Sequence, residues 1–301
     1  MMKDTFIDLH THSTASDGTT PPWRLVEAAD QSIEKALQEG WISVKPDRMV
    51  LALTDHDTVQ GIPALMESVK NRPDVTIISG VEISTEYVDS RGSHEIHILG
   101  LDVDPANEDL LTGLKFYRDG RSRRNLRILE KFQHLGIHIP EKELSHKPGA
   151  TVGRLHIARW LVDHGEAESI KDAFDRYLNP GEICYCQREK LSQEETIAMI
   201  LGAGGIPVLA HPVRYDFMSR QELETLIQKL KGLGLQGVET YYTLNKPEQT
   251  QYLEELTERE NLIRTGGSDY HGSHKPGYHL GFGYGNLGET MERIELERIM
   301  R

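Results

Sequence analysis

Five times along this chain a short apolar run gives way to a histidine or an acid. Phe6 to Leu9 leads to His10 and His12, Val50 to Leu53 to His56, Val75 to Ile78 to Glu82, Ile206 to Ala210 to His211, and Leu262 to Gly267 to Asp269. Such runs read as strands buried on both faces. In a parallel barrel, the C-terminal strand ends open into one mouth where side chains distant in sequence can meet. Within Asp8-Leu9-His10-Thr11-His12 the two imidazoles share one side of an extended segment, because alternate strand residues share a face, so they can close on one metal ion. The ordinary alternatives are capping and polar pairing in a core. His271, two residues after Asp269, extends the set. His97 in Glu95-Ile96-His97 joins it too, although His94 is near enough for either imidazole to face the mouth. Asp17 in Ala15-Ser16-Asp17-Gly18 has two readings, a ligand or the side chain of an Asx turn.

Apolar runs and amphipathic stretches alternate in βαβα order at both ends of the chain. Strands are expected over Thr5 to Leu9, Met49 to Leu53, Thr76 to Ile78 and His97 to Leu101, with helices over Pro22 to Leu37 and Val59 to Asn71. This order favours parallel strands joined by crossover helices. From about Asp104 to Glu182 the pattern turns helical and charged, over Leu110 to Leu135, Arg154 to Gly165 and Ser169 to Tyr177. Alternation returns with helices over Gln193 to Ala203, Arg220 to Gly232 and Pro247 to Asn261, and strands over Ile206 to Ala210, Gly237 to Tyr242 and Ile263 to Gly267. The expected architecture is an α/β barrel in two parts, 1–103 and 186–301, with a helical insertion over 104–185 closing one end. The 30–48 segment is longer than a compact link requires and reads as a surface extension or an added turn of helix.

Lys and Arg total 34 against 47 Asp and Glu, a formal charge of -13, which argues against a broad basic surface for duplex DNA. An anionic substrate then needs metals or local arginines. No cationic N-terminal region precedes an apolar stretch, and no run approaches the roughly 20 apolar residues of a membrane span. A cytoplasmic protein with no membrane partner is expected, its oligomeric state unknown. Cys184 and Cys186 are spaced too closely for an easy disulfide and lack a second pair of soft ligands nearby, so they read as a partly buried pair.

Imidazole and carboxylate ligands without thiolates suit manganese, iron or zinc. Two or three divalent ions about 3.5 Å apart lower the pKa of a bridging water and neutralise phosphoryl oxygens, which favours phosphoester hydrolysis. Positive charge for phosphate recognition is concentrated in the middle segment. Arg118, Arg121, Arg123, Arg124 and Arg127 fall on one expected helix, with Arg121 and Arg124 on the same side. A solvated helical face is the alternative, and it suits Arg123 and Arg127 better. Tyr117, Tyr241 and Tyr242 are either core residues or platforms for a base.

The series IDLHTHSTASDGT, LALTDHDTVQG, SGVEIS, EIHILGLDVD, PVLAHP and GGSDYHG resembles the PHP (polymerase and histidinol phosphatase) superfamily of metal-dependent phosphoesterases. The stretch GRLHIARWLVDHGEAESIKDAFDRYLNPG is similar to its branch of 3′,5′-nucleoside bisphosphate phosphatases and 5′-3′ exoribonucleases, and the likeness runs through Gly285. It implies a distorted (β/α)7 PHP barrel with an inserted helical domain, holding up to three divalent ions. His10, His12, Asp17 and His56 would serve one side, Glu82 would bridge, and His97, His211, Asp269 and His271 would complete the sites. Asp17 stands where most of the superfamily carries histidine, which makes this site more negative.

By the same likeness, Arg154 and His156, followed by Arg159, are better phosphate-binding candidates than Arg121 and Arg124, although His156 also suits a helix terminus. The implied substrate is a nucleotide or short single-stranded RNA: a 3′,5′-bisphosphorylated nucleoside losing its 3′-phosphate, or 5′-phosphorylated RNA shortened from its 5′ end. A metal-bridging hydroxide is the expected nucleophile, with Glu82, His211 and Asp269 as the catalytic set. Histidinol phosphate hydrolysis is the enzymatic rival, and a non-catalytic metal-binding module the other. A C–N hydrolase would need a strand-borne lysine where Glu82 stands.

Overall fold

Side chains on successive strand residues point to opposite faces, and here the two faces supply different cores. Phe6, Met49, Leu51 and Leu53 pack outward with the helices, whereas Ile7, Leu9, Val50 and Ala52 fill the interior together with Ile78, Leu99, Val208 and Ala210. The computed structural model describes residues 5–144, 152–187, 191–288 and 291–300, apart from the side chain of Arg121. Strands β1 (Thr5–Asp8), β2 (Arg48–Leu53), β3 (Val75–Asp89), β4 (Gly92–Leu101), β5 (Ile206–Leu209), β6 (Gly237–Tyr242) and β7 (Ile263–Gly267) lie in chain order in one sheet. The sheet curls into a nearly closed barrel. Leu9 N donates to Gly266 O at 3.1 Å, and Asp269 N to His10 O at 2.9 Å.

The helices are α1 (Leu25–Gln38), α2 (Ile62–Ser68), α3 (Glu108–His134), α4 (Arg154–Asp163), α5 (Ile170–Ala173), α6 (Gln193–Gly202), α7 (Arg220–Gly232) and α8 (Pro247–Arg259). Asn107 caps α3 by accepting from Leu110 N at 2.9 Å, and Glu108 and Asp109 in the first turn suit its positive end. This long helix joins two cores. Leu110, Leu114 and Tyr117 pack with the barrel's outer layer, while Ile128 and Phe132 pack with Ile157, Leu161, Leu178 and Cys184 in a separate cluster. Both cysteines are free thiols, Cys184 buried and Cys186 half-buried.

The expectation of parallel strands with crossover helices fails at one place. β4 runs antiparallel to both β3 and β5, and a two-residue turn at 90–91 replaces a crossover. Apolar runs alone end β3 at Ile78, because Gly80, Glu82, Ser84 and Glu86 interrupt them. Those residues alternate with Val81, Ile83, Thr85 and Tyr87, so the segment keeps the period of two and stays a strand to Asp89. Gly92, at φ +129°, closes the hairpin in a backbone region that side-chain-bearing residues rarely adopt. Glu82 therefore sits within a strand that continues past the mouth, and His97 precedes the apolar part of its strand.

The long 30–48 segment divides between the end of a helix and a loop packed on the core. α1 extends to Gln38, and the following loop sets Trp41 against Phe282, while Lys35 Nζ lies 2.9 Å from His279 Nε2. Beyond it, Leu287, Met291, Ile294, Leu296 and Ile299 enter the barrel interior. No helix among the described residues is long and apolar enough to cross a membrane. Leu296 is fully buried, so Leu296→Ala should cost about 2–5 kcal/mol, seen as a lower urea midpoint. A midpoint equal to the parent's would remove the C-terminal segment from the barrel core.

Candidate metal centre

β1 ends at Asp8 and the chain stays extended, so His10 and His12 enter the mouth together with Nε2 atoms 3.2 Å apart. Gly267 on β7 makes room for His10, because a Cβ there would lie 2.3 Å from His10 Cβ. His211 and Asp269 follow β5 and β7 in left-handed conformations, φ +31° and +56°. Residues with a Cβ hold such conformations only where the surroundings impose them, and they cluster at functional sites.

Glu82 lies at the middle. Its Oε1 is 2.7 Å from His97 Nδ1 and 2.9 Å from His211 Nε2; its Oε2 is 3.0 Å from His56 Nδ1, 3.2 Å from His12 Nε2 and 3.4 Å from His10 Nε2. Asp17 forms a second pole, with Oδ1 3.3 Å from His271 Nε2 and 3.7 Å from His12 Nδ1, and Oδ2 3.7 Å from His56 Nε2. Asp269 Oδ1 stands 3.5 Å from His12 Nε2 and 3.7 Å from His10 Nε2. All nine expected ligand side chains thus meet. His97 reaches the centre, whereas His94 stacks on Phe217 with ring centroids 3.9 Å apart.

These donors do not satisfy one another. The Nδ1 atoms of His12, His56 and His211 are buried without hydrogen-bond partners; His56 Nδ1 is near Glu82 but poorly directed. A buried polar atom left unpaired is costly, and a cation removes that cost. Among the described residues, four sets bring ligand atoms within 4.8 Å of one another: His12, Asp17, His56 and His271; His10, His12 and Asp269; His10, Glu82 and His211; and His56, Glu82 and His97. Nitrogen and oxygen donors without sulfur fit divalent cations such as manganese, iron or zinc.

Electrostatics sort the imidazoles into two kinds. Burial pushes His56 and His211 down to about 3, leaving neutral rings with lone pairs at pH 7. Burial also opposes charge on His12 and His97, but Asp269 and Glu82 outweigh it at His12, as Glu82 and Glu95 do at His97, holding both up at about 9. Against its own burial, Glu82 is held well below the usual carboxylate range by His56, His97 and His10.

Among the described residues, four buried acids escaped the sequence reading, Asp8, Asp55, Asp57 and Glu239; Asp57 accepts from Ser84 N at 3.3 Å. Asp8 accepts from Ser268 N at 2.9 Å and Gly281 N at 2.7 Å; Asp55 accepts from Ser13 N at 2.8 Å and Ser13 Oγ at 2.7 Å. Glu239 Oε1 lies 2.9 Å from His10 Nδ1, and its Oε2 accepts from His211 N at 2.7 Å. The available signal was an acid inside an apolar run, as in Gly237-Val238-Glu239-Thr240-Tyr241, since a buried carboxylate requires partners. Two cations were also missed. Lys275 Nζ donates to Asp269 Oδ2 at 2.5 Å, and Arg214, about half exposed, lies 3.8 Å from the same oxygen.

The phosphate-binding candidates on α3 and α4 are less concentrated. Arg121 lies on α3 with its side chain outside the described residues. Arg124 is buried and donates from Nε to Asn125 Oδ1 at 3.0 Å. Arg154 donates to Leu178 O at 3.0 Å and lies over the Phe174 and Tyr185 rings, within the insertion. His156 Nδ1 accepts from Gly153 N at 3.0 Å at the start of α4. It also lines a cavity of about 520 Å³ between α4 and the 14–19 loop, shared with Arg159, Trp160 and His274. Tyr117, Tyr241 and Tyr242 are buried, so their rings belong to the core and offer no face to a base.

The chain is 33% identical over 278 residues to the 3′,5′-nucleoside bisphosphate phosphatase of Chromobacterium violaceum, covering 91% of this chain and 90% of that one. It is 35% identical over 271 residues to the 5′-3′ exoribonuclease Rnm of Salmonella typhimurium, covering 88% and 84%. A crystal structure from Bifidobacterium adolescentis, provisionally assigned as a metal-dependent phosphoesterase, matches at a TM-score of 0.76 with 30% identity over 98% of this chain and 96% of that one. Matches of this extent reach both the strands and the helices that lie between β4 and β5. No family model matches the chain.

Manganese added to chelator-treated protein should raise the melting temperature, since a ligand at 100 times its Kd stabilises by about 2.7 kcal/mol. Glu82→Ala should bind fewer ions per chain by elemental analysis. Equal metal content in this variant and the parent would remove Glu82 from the centre.

Proposed function

Because the chain belongs to the PHP superfamily of metal-dependent phosphoesterases, we propose that it hydrolyses nucleotide phosphoesters, taking the 3′-phosphate from 3′,5′-bisphosphorylated nucleosides or shortening 5′-phosphorylated RNA from its 5′ end. The observation that carries this reading is Glu82 surrounded by five imidazoles, three of whose rings keep an unpartnered buried Nδ1. We assign His10, His12, Asp17, His56, Glu82, His97, His211, Asp269 and His271 to two or three divalent cations, with manganese, iron and zinc all suiting the donors. Such cations supply Lewis acidity, making water more acidic and neutralising phosphoryl oxygens.

The chain's own groups prepare the substrate's place. Glu82 and His211, 2.9 Å apart, occupy the floor. Asp269 is oriented from both sides, its Oδ1 toward His10 and His12 and its Oδ2 held by Tyr242 OH at 2.9 Å and by Lys275. Arg214 and Lys275 put two positive charges beside Asp269 in a chain whose formal charge is -13, and an entering phosphate needs that local reversal. The helical segment 104–185 closes over the mouth in this reading.

Manganese-loaded protein offered adenosine 3′,5′-bisphosphate, a 5′-phosphorylated trinucleotide and histidinol phosphate should turn over one or both of the first two. Phosphate release from histidinol phosphate alone would overturn the substrate assignment. Arg214→Ala should raise KM roughly 10-fold or more, the scale of one charge-assisted hydrogen bond, with little change in bound metal. An unchanged KM would take Arg214 out of phosphate recognition.

A further inference from the structure

We propose that Glu239 is a positioning residue, whose two carboxylate oxygens set His10 by its ring and His211 by its backbone, and so aim two metal ligands from separate strands at one centre. The inference rests on the metal-dependent reading above. Glu239 lies in the middle of β6, fully buried, with a bulge in the β6–β7 pairing immediately after it. A carboxylate at such a place is retained only with strong partners, and bulges commonly re-aim inward side chains beside active sites.

Its two hydrogen bonds do different work. Oε1 lies 2.9 Å from His10 Nδ1. With the proton on Nδ1, the lone pair of His10 is at Nε2, which faces Glu82, His12 and Asp269. The nitrogen of a histidine that takes a metal is chosen by the hydrogen bond at the other nitrogen, and a carboxylate there makes the ring a stronger donor. Oε2 accepts from His211 N at 2.7 Å. The ring of His211 has no comparable anchor, because its Nδ1 is unpartnered and its Nε2 is already directed at Glu82. Its aim therefore depends on the left-handed backbone, φ +31°, that Glu239 holds.

Both partners are donors, so the site requires two acceptors. Glutamine supplies one acceptor and one amide donor. If its amide faces His211 N, two donors oppose each other and the backbone loses its anchor. If the amide faces His10 Nδ1, that nitrogen must accept, the proton moves to Nε2, and His10 no longer offers a lone pair to the centre.

The test compares Glu239→Gln with the parent protein for circular dichroism, manganese stoichiometry by elemental analysis, manganese affinity by titration, and kinetics. The expected variant is folded, binds fewer ions or binds manganese 10- to 100-fold more weakly, and loses kcat rather than gaining KM, with partial recovery at high manganese. In a His10→Ala background the added effect of Glu239→Gln should shrink, because the two residues act together. Affinity within twofold of the parent, or full additivity with His10→Ala, would overturn the inference. Should the glutamine variant fail to fold, Glu239→Asp, which keeps both acceptors but shortens their reach, is held to the same affinity criterion. A parent protein that binds no divalent ion would sink the metal-dependent reading itself, an outcome distinct from a parent and variant that bind alike.

Discussion

Glu82 holds one carboxylate within 2.7 to 3.4 Å of imidazole nitrogens from five residues. Burying so many polar groups at such separations is unfavourable unless charge is shared among them, since an unpaired ion in a low-dielectric interior loses its hydration without return. Without a cation, the neighbouring carboxylates favour protons on His12 and His97, while Asp17 and Asp269 add negative charge beside Glu82. Divalent cations resolve the arrangement, because each accepts several lone pairs that otherwise face one another. The remaining structure serves to bring these groups together and keep them from relaxing apart.

Buried acids outside the proposed ligand set contribute to that work. Asp8 fastens the β1 end to Ser268 and Gly281, Asp55 fastens the 13–16 loop, and Glu239 fastens His10 and His211. Each accepts from at least one backbone N–H in a segment that carries or adjoins a ligand. Hydrogen bonds to a carboxylate are among the stronger ones, and a fully satisfied buried polar network rigidifies the segments it joins. The left-handed backbones at His211 and Asp269 persist within this framework.

The antiparallel β4 is the other structural decision. A uniformly parallel barrel offers ligands only at C-terminal strand ends, whereas the β3–β4 hairpin passes through the mouth and presents Glu82 and His97 from adjacent strands. Ser84 pairs with His97 and Glu82 with Leu99, so the register itself places Glu82 within reach of the His97 ring. The hairpin arm also meets the start of α6, where Gln193 Nε2 donates to Glu86 O at 3.1 Å.

Apolar runs ending on His or acid, and the HxH spacing at His10 and His12, made the barrel and its set of donors legible from sequence, because both depend on local periodicity. The strand positions of β1, β2, β5, β6 and β7 follow the same rule. Three things required the tertiary structure. The direction of β4 depended on a two-residue turn and on pairing across the sheet, neither of which an apolar run records. The choice of His97 over His94, and of Asp17 as a partner of His12, His56 and His271 rather than a turn residue alone, depended on which ring faced the mouth. The roles of Asp8, Asp55 and Glu239 depended on partners up to hundreds of residues away, and a single carboxylate in a strand carries no sign of which backbone it will hold.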